Sequence, residues 1–378
     1  MSRIIYLDNA ATSYPKPEIC LNEINKCMRE YCANPGRGSH YMSIKAAEKI
    51  YETREIIGKI INADKPERIV FTQNTTMSIN MAVKGLLKNG DEVIISSMEH
   101  NSVWRAVNSL SDKGVIVKTV WADKNGRVSS QDIKNEITPK TKLVCITHVS
   151  NVTGSINDIY EIGNMLSREK IIFMVDAAQS IGIIPIDVKK CKIDLLAFPG
   201  HKGLLGPMGT GGLFVSEGVH LDTIIEGGTG SVSESRYQPD FLPDRLESGT
   251  VNMPGISGLC ASVEFIKKIG IDKIENHEKK LGKRLCEILG NINGITIYGG
   301  ENKTGVVSVT HKDLEPAYMA EILDREYKIA VRSGLHCSPL AAKTLGTEEG
   351  GTLRFSPGIF NSIKDIEYAG MAVKRIIE

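Results

Sequence analysis

The residues most capable of chemistry are an acid and an amine that each follow an apolar run. Val175-Asp176-Ala177-Ala178-Gln179-Ser180 places a carboxylate at the end of Ile171-Ile172-Phe173-Met174-Val175, and Phe198-Pro199-Gly200-His201-Lys202-Gly203 places a lysine just past Leu195-Leu196-Ala197-Phe198. In an open α/β sheet, ligands bind beyond the carboxyl ends of the strands, so the two side chains face a common crevice. A lysine amine beside a buried carboxylate suits pyridoxal phosphate. The amine condenses with the cofactor's aldehyde, and the carboxylate keeps the ring nitrogen protonated. Taken alone, the pair reads equally as a strand-end turn cap beside a solvated lysine.

Two further turns lead into the same crevice. Phe71-Thr72-Gln73-Asn74-Thr75-Thr76 leaves a strand and opens a helix through Ile79, Met81, Ala82 and Leu86, so free backbone donors and two hydroxyls offer either a phosphate cradle or a plain N-cap. Ser97-Met98-Glu99-His100-Asn101-Ser102 sets an imidazole past another strand, where it can stack on a ring and move protons or simply satisfy its loop. No intact G-x-G-x-x-G or G-x-x-x-x-G-K-[ST] is present, which speaks against dinucleotide and nucleoside-triphosphate sites. The eight cysteines, at 20, 27, 32, 145, 191, 260, 286 and 337, form no Cys-x-x-Cys pair or metal-like spacing, so no metal is expected.

Stepping from these residues to the elements that must hold them, short β-branched runs at 68–71, 92–95, 115–117, 143–147, 171–175 and 195–198 alternate with helical stretches. Strand-helix repetition predicts a mainly parallel sheet, and strands apolar at nearly every position predict helices on both faces. After about residue 255 the pattern changes to amphipathic helices over 262–269 and 274–289 and short strands near 295–298 and 305–309, the texture of a smaller α+β domain. The expected division is 14–255 for the large domain, with 1–13 and 256–378 for the small one. The polar, glycine-rich stretch 226–249 reads as a functional loop at a site or interface.

Composition narrows the partners. With 378 residues the chain exceeds the roughly 250 to 300 at which one core stops growing, so two bodies are expected. A balance of 46 Lys and Arg against 45 Asp and Glu gives no field for nucleic acid or membrane, and the charges of 277–284 follow a helical period as a solvated face does. No apolar run approaches ~18 residues, and the start Met1-Ser2-Arg3-Ile4-Ile5 lacks a secretory segment, so a cytoplasmic location is expected.

In one order along nearly the whole chain, the sequence resembles the cysteine desulfurases and selenocysteine lyases of the class V aminotransferase group. The resemblance rests on Tyr6-Leu7-Asp8-Asn9-Ala10-Ala11-Thr12, Asn34-Pro35-Gly36-Arg37-Gly38-Ser39-His40, Thr75-Thr76, Glu99-His100-Asn101 and His148-Val149-Ser150-Asn151. It continues through Val175-Asp176-Ala177-Ala178-Gln179, Gly200-His201-Lys202, Glu247-Ser248-Gly249-Thr250 and Arg332-Ser333-Gly334-Leu335-His336-Cys337. It implies an aminotransferase-like α/β fold and pyridoxal 5'-phosphate as cofactor, with Lys202 as its attachment point, Asp176 on the ring nitrogen and His100 stacked on the ring as acid/base. It further implies Thr75, Thr76 and His201 on the phosphate, Gln179 and Asn151 near the phenolic oxygen, Arg354 with Asn151 on the substrate carboxylate, and Arg332 as a further substrate-binding residue. Thr250 would reach the phosphate of a second copy, which implies a homodimer. One departure stands out. The phosphate-binding serine common three residues before the lysine is here Pro199, which has neither hydroxyl nor amide donor.

Among reactions open to this cofactor, Cys337 makes the choice. Its segment brings together Arg332, Gly334 and His336, and neighbouring cations favour the thiolate, the competent nucleophile. The resemblance is to the branch with a short Arg-x-Gly-x-His-Cys segment. The expected reaction converts L-cysteine to L-alanine with sulfur carried off on Cys337 as a persulfide and then passed to an acceptor protein or thiol. L-Selenocysteine is an alternative substrate, and an aminotransferase or epimerase with Cys337 as a mere buried thiol is the remoter alternative.

Overall fold

The computed structural model describes residues 4–36, 38–301 and 303–378; Arg37 of the 34–40 motif and the first three residues lie outside them. Thirteen strands and eleven α-helices follow one another among the described residues. Through the first half these are β1 (Ile5–Tyr6), α1 (Glu18–Glu30), α2 (Tyr41–Ile61), β2 (Ile69–Thr72), α3 (Thr75–Leu86), β3 (Glu92–Ser96), α4 (Asn101–Asn108), β4 (Ile116–Val120), α5 (Ser130–Glu136), β5 (Thr141–Thr147), α6 (Ile159–Glu169), β6 (Ile172–Asp176), β7 (Leu195–Pro199) and β8 (Gly211–Val215). The second half contains α7 (Met253–Ile269), α8 (Ile271–Leu289), β9 (Ile295–Tyr298), β10 (Val307–His311), α9 (Pro316–Tyr327), β11 (Ile329–Ala330), β12 (Arg332–Gly334), α10 (Pro339–Leu345), β13 (Thr352–Phe355) and α11 (Ile363–Ile377).

The large sheet runs β2-β8-β7-β6-β5-β3-β4. Pairings from β4 through β7 are parallel, while β8 is antiparallel to both its neighbours. The strands are apolar throughout because both faces are covered. Val144, Ile146, Phe173, Val175, Leu196 and Phe198 enter one core, and the intervening Leu143, Cys145, Met174, Leu195 and Ala197 enter another on the opposite face.

No periodic signal marks β8, whose first two residues are glycines. A Cβ on Gly212 would collide with the Phe198 ring, so the strand trades propensity for close approach. The helix expected at 262–269 extends back to Met253. That first half is small and apolar all round, packs into the large body and so lacks the one-sided period.

A four-stranded antiparallel sheet, β12-β13-β10-β9, carries the last third of the chain. Its core joins Leu281, Leu285, Val307, Leu353 and Phe355 to Leu7, and β1 pairs in parallel with β11. The N-terminal segment therefore belongs to the core of the C-terminal body. It then crosses to the large sheet, where it meets the His201 loop.

Candidate active site

In the large sheet β4 and β5 lie on opposite sides of β3, so the strand order reverses between β3 and β5, and that is where a crevice opens. The turns after β2, β3, β5, β6 and β7 converge on one cavity of about 240 Å³. Its walls include Thr75, Thr76, His100, Asn151, Asp176, Gln179, His201, Lys202, Arg332 and Arg354, together with Ala10 and Ala11 of the N-terminal segment. Ten of the twelve side chains named from the sequence thus face one space. The two outside it are Cys337, next to the lining residue His336, and Thr250, which is exposed on the loop before α7.

Asp176 ends β6, is 2% exposed and accepts the Ala178 amide on Oδ1 at 2.8 Å. Burial raises its carboxyl, against the pull of that amide and of Lys202. Lys202 follows β7, and burial pushes its amine down to about 8, countered first by Asp176. A neutral amine is the form that attacks a carbonyl, so this environment readies it. His100 is the N-cap of α4, with Nδ1 accepting the Ser102 amide at 3.1 Å. Burial first, then Lys202, lower it to about 4. The ring is therefore neutral near pH 7 and carries its proton on Nε2.

Asn74 caps α3 by accepting the Met77 amide at 2.9 Å. Among the described residues, the amides and hydroxyls of Thr75 and Thr76 donate to nothing within the chain, so the helix N-terminus presents free donors to the cavity. His201 Nδ1 meets Thr12 Oγ1 at 3.1 Å, which fixes its ring. Its carbonyl accepts from the Ser13 amide at 3.0 Å and Lys16 Nζ at 2.9 Å, so the N-terminal segment holds the peptide just before Lys202. Pro199 closes β7 opposite Gly211 and offers no donor.

At the other wall, Arg354 on β13 is 1% exposed. Its Nη2 pairs with Asp8 Oδ1 at 2.6 Å, its Nη1 donates to the Asn151 carbonyl at 3.0 Å, and Nε has no partner among the described residues. The expected carboxylate clamp is thus already engaged by Asp8, a residue the sequence marked within a motif but gave no role. Asn151 is fixed through its side chain: Nδ2 donates to the His336 carbonyl at 2.7 Å, and Oδ1 accepts from Ser338 Oγ at 2.9 Å.

Cys337 is partly exposed, with its carbonyl accepting the Asn101 amide at 2.7 Å at the start of α4. Arg332 Nη2 lies 3.4 Å from its Sγ. His336 and Cys337 both take left-handed backbone angles, φ 51° and 58°, uncommon for such residues and concentrated here at the thiol. The expectation that His336 adds positive charge beside the thiol is corrected. Its ring is buried against Thr352, with Nε2 at 2.9 Å from the hydroxyl, and burial lowers it to about 3. Arg332 is the cation in contact with the sulfur.

The donor set fits pyridoxal phosphate: a lysine amine, a buried carboxylate whose charge acts on it, a neutral ring and, among the described residues, helix N-terminal donors without a partner line one cavity. Among the described residues one trio, Glu52, Cys260 and Glu264, lies close enough to share an ion, but Glu52 is exposed and none lines the cavity. No described helix is long and apolar enough to cross a membrane.

The chain matches the aminotransferase class-V family model over residues 5–369. A probable cysteine desulfurase of Methanothermobacter thermautotrophicus is 38% identical over 98% of this chain and 94% of that relative. One from Pyrococcus abyssi is 40% identical over 96% of this chain and 92% of its own length. Among solved structures, the apo cysteine desulfurase of Thermococcus onnurineus superposes with a TM-score of 0.93 at 36% identity, covering 99% of this chain and 94% of the other.

Proposed function

The chain belongs to the class-V aminotransferase family, and from that premise we propose that it is a pyridoxal-phosphate-dependent cysteine desulfurase. The observation that carries the reading is the juxtaposition of the Lys202–Asp176 cavity with a thiol in contact with Arg332. When bound, pyridoxal phosphate supplies the sink for the electron pair left at the substrate's α-carbon. Lys202 Nζ would be its point of attachment, Asp176 would keep its ring nitrogen protonated, His100 would lie against the ring, and Gln179 and Asn151 would serve its phenolic oxygen. Thr75, Thr76 and His201 would hold its phosphate without help from Pro199, which has no donor.

The remaining work falls to this chain's own groups. Arg354 and Asn151 orient the carboxylate of L-cysteine, with Arg354 leaving Asp8 at least in part to do so. Lys202 Nζ, once free, takes the α-proton. Cys337 Sγ attacks the substrate sulfur, so that the new S–S bond forms as the substrate's C–S bond breaks. The electron pair of that bond passes to the substrate's β-carbon, which takes a proton from His100 Nε2 or Lys202 Nζ, equivalent to the one Cys337 gives up as a thiolate, while the α-carbon regains its proton from Lys202 Nζ and the fragment leaves as L-alanine. The persulfide on Cys337 then passes its outer sulfur to an acceptor protein or thiol, and the partly exposed position of Cys337 suits that handover.

The same reading includes a cytoplasmic homodimer in which Thr250 of each copy completes the other's phosphate site. It also includes a division at 14–255 against 1–13 and 256–378. Leu7 in the small core supports the first cut, while the packing of α7 on the large core draws the second toward Gly270. The test is product analysis with cysteine and selenocysteine in competition. Alanine and sulfide are expected from the wild type, and neither from Lys202→Ala. Alanine formed from cysteine at wild-type rate by Cys337→Ser would refute the proposal.

A further inference from the structure

Glu99 has no exposed surface and takes part in none of the steps above. It sits in the turn between β3 and α4, directly before His100. Its Oε1 accepts from Ser96 Oγ at 2.5 Å and from the Thr147 amide at 2.8 Å, while Oε2 is buried without a partner among the described residues. Ser96 ends β3, Thr147 ends β5, and Thr147 is in register with Asp176 on β6. One side chain therefore ties the His100 turn to the strand end beside the site's buried carboxylate.

The titratable groups facing Glu99 are Asp176 from β6 and the thiol of Cys145 from β5, with His100 next in its own turn and Lys202 beyond Asp176. Two carboxylates sharing a water-free layer repel, so one of them keeps its proton. Asp176 has the Ala178 amide and the charge of Lys202 to stabilise an anion, and among the described residues no cation pairs with Glu99. We infer that Glu99 is a positioning acid. Held neutral, it fixes the His100 turn on the end of β5 and leaves Asp176 as the anion of the cofactor site. In support, burial first and Asp176 among the further causes push Glu99 up to about 8.

The inference rests on the desulfurase reading for its consequence in turnover, but its first test does not depend on that reading. Melting temperatures of full-length wild type and Glu99→Gln, with and without pyridoxal phosphate, are compared from pH 5 to 9. A carboxyl raised from 4.5 to about 8 in the fold keeps a proton that the unfolded chain has lost. The wild type therefore loses stability as pH rises through that window and levels off above it. Glu99→Gln cannot titrate, so the difference, Gln variant minus wild type, grows up to about pH 8 and then stays constant. All other groups cancel in that difference except the coupled Asp176 and Cys145. A difference that is flat with pH would mean an ionised Glu99 and would overturn the inference.

The second test follows alanine formation. Glu99→Gln keeps both acceptor bonds and is expected within about threefold of wild type at pH 7, without the decline above about pH 8 that ionisation of Glu99 imposes. Glu99→Ala is expected to lose about tenfold or more. Glu99→Gln falling as far as Glu99→Ala at pH 7 would overturn the neutral assignment even if the alanine variant folds poorly. A wild type that makes no alanine would sink the desulfurase reading instead, leaving the melting result to decide Glu99.

Discussion

At the scale of single residues, the site is a set of groups whose ionisation is set by burial. Lys202 is the clearest case. With its amine lowered to about 8, roughly a tenth is neutral at pH 7, far more than for an exposed lysine. Recombination of the stripped protein with pyridoxal phosphate, followed by its absorbance, is therefore expected to quicken about tenfold per unit from pH 6 to 7 and to level off above about 8. A rate independent of pH over that range would exclude Lys202 in this environment as the attacking group. Cys337 is singled out by geometry. Of the other seven cysteines, five are buried, Cys286 is partly so and Cys32 is exposed. Cys32 is thus the control for accessibility. Alkylation and peptide mapping after adding cysteine without an acceptor should find the extra sulfur on Cys337 and not on Cys32, and the reverse would remove the nucleophile from the proposed reaction.

At the scale of elements, turns following parallel strands carry the chemistry, and one buried ion pair holds the loop that does not touch the cavity. Arg54 of α2 meets Glu247 at 2.6 Å with both side chains almost entirely enclosed, and the Arg54 guanidinium also lies over Phe71 at the end of β2. Glu247 begins the Glu247-Ser248-Gly249-Thr250 segment, so this pair anchors the end of the 226–249 loop against the sheet. Removing one member of a buried pair strands the other charge, which costs about 3–5 kcal/mol. Glu247→Ala is expected to lower the denaturant midpoint accordingly. A change under about 1 kcal/mol would show that the guanidinium is satisfied by other groups.

At the scale of the whole molecule, the exposed Thr250 matters only if a second copy brings it to a phosphate. Tyr41, Tyr51, Tyr237 and Phe241 are large apolar side chains left exposed on the single chain. Sedimentation is expected to show a dimer, and Thr250→Val should remain dimeric while binding pyridoxal phosphate several-fold more weakly. A fully active monomer would dismiss the shared site. The parallel layers are legible in the residues alone, because a strand buried on both faces must be apolar at nearly every position, as at 143–147 and 171–175. The sequence also placed Asp176, Lys202, His100 and the Thr75-Thr76 turn at one crevice, because turns after parallel strands gather at one edge of the sheet, whereas Gln179, Asn151, His201 and Arg354 entered only through the family resemblance. It did not reveal β8 or the front of α7, where close packing replaces residue propensity and periodicity. Nor could it foresee that Asp8 would sit on Arg354, that the His336 ring would turn to Thr352, or that Glu99 would bridge two strand ends. Those are contacts between residues up to hundreds of positions apart, fixed by which surfaces meet when the chain closes, and only the tertiary structure decides them.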